Sequence, residues 1–457
     1  MVALLLSALS GCLLSAAFEP VGKWWVAPIA LAVHMYALSI SSRKVLSSLL
    51  FALTLNLIVL HWSSTFVGSV PWIILALGMS IFYLPLALVS RWGITAYPLL
   101  FILLEEVRNR FPFGGFGWVR LAYTQADSPY SHLAAIGGAS ALSAAVVLIA
   151  LTIYKFAART FSVLTILPFV LIVIPYNPTL LATTNVLMIQ GNVPQLGLDF
   201  NSRAKAVFNN HLERTNAELS EDPNIDFILW PENSVDVDPF RNIDVKQSLD
   251  LIQQPLIIGA IVNDGERILN TSVLWDKDQP QIYVKQHLTP FGEYMPLRSL
   301  ARVVSPLADK VEDFSAGSKT EIFTIGKAKI APVICYELID DELLRQASQG
   351  SNILAVQTNS ATFGMSAESA QQLSITRIRA IEHGRNIVSV STTGYSAVID
   401  YTGKVTQQSS MGKAASIRAD VGLIDGQTPR DAAGDWALIG VLVALFVVAR
   451  RAYILRR

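Results

Sequence analysis

Eight stretches of this chain are apolar for long enough to be driven out of water, and seven of them precede residue 180. They cover roughly 2–18, 24–41, 45–62, 69–90, 93–107, 131–154 and 161–176, and the eighth covers 436–449. A helix needs about 20 apolar residues, within a range of roughly 17–25, to cross the hydrocarbon core of a bilayer. Most of the stretches reach that length. The fifth and the last are short and need interfacial aromatic residues to extend them. Trp24, Trp25, Trp62, Trp72, Trp92 and Trp436 stand near the expected ends, at the headgroup level that amphipathic rings favour. The pattern predicts a polytopic α-helical membrane protein of about eight transmembrane helices. Its membrane domain would span 1–180, and a closing helix with a basic cytoplasmic tail would span 435–457.

Charge separates the parts further. Only 15% of the residues are charged, against about 25% in an ordinary soluble domain. Residues 181–434 hold 30 of the 35 acidic residues and 22 of the 35 basic ones, a net −8, so the remaining 203 residues carry +8. With the N-terminus placed in the cytoplasm, Arg43, Lys44, Arg91, Lys155, Arg159, Arg450, Arg451, Arg456 and Arg457 fall inside, nine of the 13 basic residues outside the acidic part. Lys23, Arg108, Arg110 and Arg120 fall outside. This bias follows the positive-inside rule and puts 181–434 on the extracytoplasmic face of a cell membrane. Glu105 and Glu106 end the fifth stretch, where solvation at the interface is the expected state. Leu9-Ser10-Gly11-Cys12 matches a lipobox, but no basic region precedes it and Leu13-Leu14 continue the apolar run, so an ordinary first helix is expected. No zinc-ligand spacing, Walker loop or dinucleotide fingerprint occurs, and nothing points to nucleic acid; neither a cofactor nor a metal is expected.

Within 181–434 the period changes. β-like runs at Val186–Gln190, Phe227–Trp230, Leu256–Val262, Ile330–Cys335, Ile353–Gln357, Ile387–Ser391 and Ser396–Asp400 alternate with helical runs at Ser202–Leu219, Glu342–Gln349 and Met365–His383. Such alternation predicts one large α/β domain of sheets covered by helices.

Three polar residues end or interrupt β-like runs in that domain. Cys335 closes Pro332-Val-Ile-Cys335 and is followed by Tyr336-Glu337. The other cysteine of the chain, Cys12, lies in the first apolar stretch. A lone thiol at a strand end is a candidate nucleophile or, as readily, a small buried hydrophobe. Glu232 closes Phe227-Ile-Leu-Trp-Pro-Glu232 and could serve as the base that makes a thiolate, or could cap a helix. Lys285, in Ile282-Tyr-Val-Lys285, could hold a thiolate and an oxyanion, or could be a solvated edge-strand charge.

Taken together, Trp230-Pro-Glu232, Lys285-Gln-His-Leu-Thr-Pro-Phe-Gly-Glu293-Tyr and Ile334-Cys-Tyr-Glu337 resemble the carbon–nitrogen hydrolase (nitrilase) superfamily. With seven leading apolar stretches and one closing stretch, the whole chain resembles the bacterial apolipoprotein N-acyltransferases. Phe111-Pro-Phe-Gly-Gly-Phe-Gly-Trp118 and Leu121-Ala-Tyr-Thr-Gln-Ala-Asp127 resemble that family's loop after the fifth helix. The resemblance implies a four-layer αββα nitrilase-like domain. It implies Glu232 as general base, Lys285 as oxyanion stabiliser and Cys335 as nucleophile, supported by Glu293, Tyr336 and Glu337. It further implies a membrane phospholipid as acyl donor, diacylglyceryl apolipoproteins as acceptors, a thioester intermediate, and a monomer whose site opens toward the bilayer. A membrane-tethered amidase or nitrilase with the same triad is the first alternative, and a non-catalytic membrane scaffold or lipoprotein-binding module that retains the fold is a second, against which the intact triad argues. Three positions depart from the family pattern: Ser360 and Thr362 stand where a later motif usually has Asp and Trp, and Gly117 stands where many relatives have Pro.

Overall fold

A computed structural model of the chain describes residues 1–159, 177–193, 195–197, 205–304, 306–309 and 311–454. The chain divides into two compact units, Met1–Tyr176 with Thr428–Arg457, and Asn177–Gln427.

The first unit is helical. Its helices run over Val2–Ser15, Val26–Ile40, Lys44–Val59, Ser69–Ile81, Tyr97–Arg108, Leu133–Ala157 and Trp436–Ile454, with short 3-10 and α turns between them. Among the described residues, two helical stretches are long and apolar enough to cross a bilayer, Ser69–Trp92 and Leu133–Ala157. Val2–Ser15, Val26–Ile40, Lys44–Val59 and Trp436–Val448 are apolar but shorter. The expected seventh crossing at 161–176 lies outside the described residues.

The lipobox-like run has a packing explanation. A Cβ on Gly11 would come within 2.2 Å of the Phe51 carbonyl oxygen, so only glycine allows the first and third helices to approach there. Ser10 Oγ donates to the Ala30 carbonyl at 2.6 Å and Ser7 Oγ lies 2.5 Å from Ser47 Oγ. Small and hydroxylated residues at a helix seam are how helices associate when both faces are apolar. The Leu133–Ala157 helix breaks its dihedrals at Gly137 and Gly138. The indole of Trp436 donates there to the Ile136 carbonyl at 3.0 Å, satisfying a group that the break exposes.

The expectation for Glu105 and Glu106 is corrected. Both are buried, as are Arg108 and Arg120. Arg120 Nε lies 3.8 Å from Glu105 Oε2 and its guanidinium also reaches Glu106, which Arg110 pairs from the other side. The Leu121 amide donates to Glu105 at 2.7 Å, Ser140 Oγ to Glu106 at 2.6 Å, and Arg108 Nη1 to Tyr83 Oη at 2.7 Å. These are internal struts rather than solvated interfacial charges.

The second unit contains two six-stranded sheets. One has the order β12-β1-β2-β3-β4-β5 and is formed by Ala415–Asp425 (β12), Thr179–Gln190 (β1), Phe227–Leu229 (β2), Leu256–Asp264 (β3), Arg267–Trp275 (β4) and Gln281–Val284 (β5). The other has the order β11-β10-β9-β8-β7-β6, from Val405–Gln408 (β11), Ala397–Ile399 (β10), Ile387–Ser391 (β9), Ile353–Thr358 (β8), Ala328–Ile334 (β7) and Phe323–Ile325 (β6). Pairing is parallel along β1-β2-β3 and β7-β8-β9 and antiparallel toward the edges.

Side-chain alternation sorts the core into layers. Val186, Met188, Phe227, Leu229 and Ile257 pack between the sheets against Ile330, Ile334, Ala355, Val388 and Val390. Their neighbours Leu187, Ile189, Ile228, Trp230 and Ile258 face the other way, onto Phe208, Val245 and Leu249 of the helices Ala206–Glu221 and Ile243–Asp250. Helices Asp341–Gly350 and Glu368–His383 follow β7 and β8. The result is the four-layer αββα arrangement. The seven expected strands are present, and so is β5, the β-like run before Lys285; β4, β6, β11, β12 and the helices Ile243–Asp250 and Arg298–Val304 are additional to them.

Candidate active site

The three candidate residues lie at strand ends that the two-sheet packing brings together. Glu232 follows β2 after Trp230-Pro231. The approach is close: a Cβ on Gly259 of β3 would sit 2.3 Å from the Pro231 carbonyl oxygen and 2.6 Å from the Glu232 Cα, so β3 needs a glycine where the Glu232 loop crosses it. Gln357 of β8 donates from Nε2 to the Trp230 carbonyl at 2.7 Å, fastening that loop to the opposite sheet. Lys285 is the first residue after β5, and its amide donates to Asn270 O of β4 at 2.9 Å.

Cys335 follows β7 and begins the 3-10 turn Cys335–Ile339. Its φ is +49°, a left-handed value uncommon for a residue with a side chain. Such strain, held by surrounding structure, concentrates at functional sites. Here the holder is Glu337. Its Oε2 accepts from the Ile334 amide at 2.7 Å, and its Oε1 accepts from Tyr283 Oη and the Gln286 amide, each at 2.7 Å. One buried carboxyl thus ties the turn carrying Cys335 to the strand carrying Lys285. Tyr336 is also buried, its ring edge-on to His287 with centroids 5.3 Å apart.

Lys285 is 1% exposed. Its Nζ lies 2.8 Å from Glu293 Oε2, 3.3 Å from Glu232 Oε1 and 3.5 Å from Thr289 Oγ1. Asn270 Nδ2 donates to both glutamates, at 2.8 Å to Glu232 and 2.6 Å to Glu293, and the Thr289 amide donates to Glu293 at 2.7 Å. Cys335 Sγ receives a long hydrogen bond from Gln372 Nε2 at 3.6 Å.

The electrostatics follow from this packing. Burial pushes the Glu232 carboxyl up, and the Glu293 charge adds to that, against the pull of Lys285. Burial also opposes charge on Glu293 and on Lys285. For Glu293 the adjacent ammonium outweighs it and the carboxyl is held low; for Lys285 the two glutamates outweigh it and the ammonium is held firmly protonated. The Cys335 thiol is raised well above its ordinary value by burial and by the Glu232 anion, with Lys285 pulling it down. The resting state is therefore a neutral thiol beside a carboxylate of raised proton affinity and a fixed cation. That arrangement can generate a thiolate only by passing the proton to the neighbouring base.

Asn270, Gln372, Tyr283 and Glu368 were not among the residues that the sequence singled out, and all four border this site. Asn270 lies inside β4 and Gln372 inside a helix, so no strand-end pattern marks them. Among the described residues no cluster of His, Cys, Asp and Glu could hold a metal ion.

Comparison with known proteins adds two family matches. Residues 10–152 match the apolipoprotein N-acyltransferase N-terminal domain, and residues 246–427 match the carbon–nitrogen hydrolase domain. The chain is 32% identical to the apolipoprotein N-acyltransferase of Mycolicibacterium smegmatis, over 97% of this chain and 83% of that protein. It is 30% identical to the one of Geobacter metallireducens, over 98% of this chain and 95% of that protein. Among solved structures, a CN-hydrolase superfamily protein from Xanthomonas campestris aligns with 57% of this chain and 97% of its own, at 15% identity and a TM-score of 0.39.

Proposed function

The chain belongs to the apolipoprotein N-acyltransferase family, and on that premise we propose that it moves a fatty acyl chain from a membrane phospholipid, through a thioester on Cys335, to the α-amino group of the N-terminal S-diacylglyceryl-cysteine of apolipoproteins. The observation that carries the reading is the Lys285 ammonium held between Glu232 and Glu293 at 3.3 and 2.8 Å, beside a thiol on a left-handed turn.

In the proposed first half-reaction Glu232 takes the Sγ proton and the thiolate attacks the donor's ester carbonyl. Lys285 turns toward the oxyanion the N–H that otherwise rests on Thr289 Oγ1 at 3.5 Å, and a preorganised donor of this kind supplies much of the barrier reduction in acyl transfer. Collapse breaks the ester C–O bond, Glu232 returns its proton to the leaving oxygen, and a lysophospholipid departs. In the second half the acceptor amine attacks, the C–S bond breaks and an amide forms. Splitting the transfer replaces one difficult step by two easier ones. Glu293 and Asn270 keep Lys285 and Glu232 in register, Glu337 holds the elbow, and Tyr336 packs beside it. The named residues come from one chain, and the protein is proposed to act as a monomer without cofactor.

We further propose about eight membrane crossings, with 1–180 and 435–457 in the bilayer of a bacterial cell membrane and 181–434 outside it. The charge bias supports this. Three of its four exceptions, Arg108, Arg110 and Arg120, have partners in Tyr83, Glu105 and Glu106 and so need no aqueous side of their own. Single cysteines at Ser318 and Ser42, both exposed, in a background lacking Cys12 and Cys335, test it: an impermeant maleimide is expected to label 318 and spare 42, and the reverse would overturn the orientation. The reaction itself is tested by incubating the protein with phospholipid and a synthetic diacylglyceryl-cysteinyl peptide. Mass spectrometry is expected to show an amide-linked acyl chain and lysophospholipid; free fatty acid as the sole acyl product would point to a hydrolase instead.

A further inference from the structure

Glu368 opens the helix Glu368–His383 and is 1% exposed. Its carboxyl is hydrogen-bonded to the Ser360 hydroxyl, yet Oε2 has no hydrogen-bond partner. Among the described residues no cation pairs with it. Leaving a buried polar group unsatisfied costs about 1–3 kcal/mol, and more for a charged one. Its position is specific. Gln372 stands one helical turn further on the same face, and Gln372 is the residue that donates to Cys335 Sγ. The charge of Glu368 is felt at Cys335, and that of Glu232 at Glu368. The helix thus presents two side chains toward the thiol, an amide that touches the sulfur and a carboxyl with one oxygen unclaimed.

The first half-reaction has no use for this carboxyl, because the donor's ester is neutral. The second half has. The acceptor arrives as an α-ammonium, since α-amino groups titrate near about 7.7–8.0. Two protons must leave its nitrogen, one before attack and one as the tetrahedral intermediate collapses. Glu232 can take one and pass it to the departing thiolate, but it is also paired to Lys285. We infer that Glu368 receives the acceptor's α-ammonium, pairing with it and taking the proton whose loss frees the nitrogen lone pair. This rests on the acyltransferase reading above. The step balances: ammonium, thioester and Glu368 carboxylate give amide, Cys335 thiol and protonated Glu368, which then releases its proton to water. A C–N bond forms and the C–S bond breaks, with no change of oxidation state.

The resting electrostatics suit this task. Burial, with the Glu232 charge adding to it, pushes the Glu368 carboxyl up to about 8, so the empty site carries little uncompensated charge. An entering cation favours the ionised form, and the titratable groups facing Glu368, Glu232 and Cys335, supply no positive charge of their own.

The test separates the two half-reactions in the full-length protein. In Glu368→Gln, acylation of Cys335 by phospholipid should be no slower than in the wild type, since the Glu368 charge only opposes the thiolate. Discharge of the acyl-enzyme by a diacylglyceryl-cysteinyl peptide should slow on the order of 100-fold, the low end for a lost proton acceptor. Hydroxylamine, which is mostly uncharged at neutral pH, should discharge both proteins equally. Glu368→Asp keeps the charge and should recover part of the peptide rate, and it serves as the reporter if the Gln variant does not fold. Peptide discharge at the wild-type rate in Glu368→Gln, or equal slowing of acylation, hydroxylamine discharge and peptide discharge, would overturn the inference. A wild-type protein that never becomes acylated would instead overturn the acyltransferase reading beneath it.

Discussion

Each half of this molecule buries a pair of glutamates beside a cation, and the two clusters do different work. In the helical unit Glu105 and Glu106 meet Arg120, a residue with no exposed surface, and Arg110 pairs with Glu106 as well. A guanidinium is permanently charged and presents a planar fork of donors. An amide and a hydroxyl take up further carboxylate lone pairs. The outcome is a strut. In the αββα unit Glu232 and Glu293 meet Lys285, a compact ammonium, and Asn270 ties the two carboxylates together. A thiol on a left-handed turn stands within the field of all three. Burying opposite charges together is common to both. They differ in the shape of the cation and in whether a thiol is left beside it.

Exchanging the cations breaks the comparison most sharply. Lys285→Ala is expected to lower the rate of Cys335 acylation by at least about 100- to 1000-fold, the usual cost of an oxyanion donor. Lys285→Arg should not restore it, because a planar fork cannot occupy the place of an ammonium held by two carboxylates. Lys285→Ala also strands the buried Glu232 and Glu293 and should lower stability, so the rates are compared at a temperature where circular dichroism shows each variant folded. Glu232→Gln should slow acylation about 100-fold or more. Its pH profile gives a sharper reading: burial raises the Glu232 pKa, so its base form is gained as pH rises, and the wild-type rate should climb through a limb displaced above the ordinary carboxylate range. The Gln variant should lack that limb.

In the strut the expected loss is stability. Arg120→Ala leaves two buried carboxylates short of their partner and should cost about 3–5 kcal/mol, read as a lower unfolding midpoint. Molecules that remain folded should acylate Cys335 near the wild-type rate. A catalytic loss at unchanged stability would erase the distinction between the clusters. The smallest effect is expected at Tyr283→Phe. Glu337 Oε1 would lose one donor while keeping the Gln286 amide, a change worth about 0.5–1.5 kcal/mol.

The strand-end residues were legible in the sequence because Glu232, Lys285 and Cys335 each follow a short apolar run whose period announces a strand. Glu293, Tyr336 and Glu337 came with the motifs around them. Asn270 was not legible: it sits amid Asn270-Thr271-Ser272 of β4, a polar stretch that conceals the strand, and only the pairing of β4 with β3 and β5 carries it to the two glutamates. Gln372 and Glu368 share a helix face whose significance depends on where the turn after β7 places the thiol. In the helical unit the apolar stretches were plain, whereas the burial of Glu105 and Glu106 was not. Their partner Arg120 lies 14 residues from Glu106, in a loop that no local pattern folds back onto the helix.

The most direct test of the central claim is the intact mass of the protein after incubation with phospholipid alone. The expected result is an increase of one acyl chain on Cys335, removed by hydroxylamine, discharged by the diacylglyceryl-cysteinyl peptide and missing in Cys335→Ser. Full transfer activity in Cys335→Ser, or turnover by the wild type with no acyl adduct trapped at any stage, would contradict it.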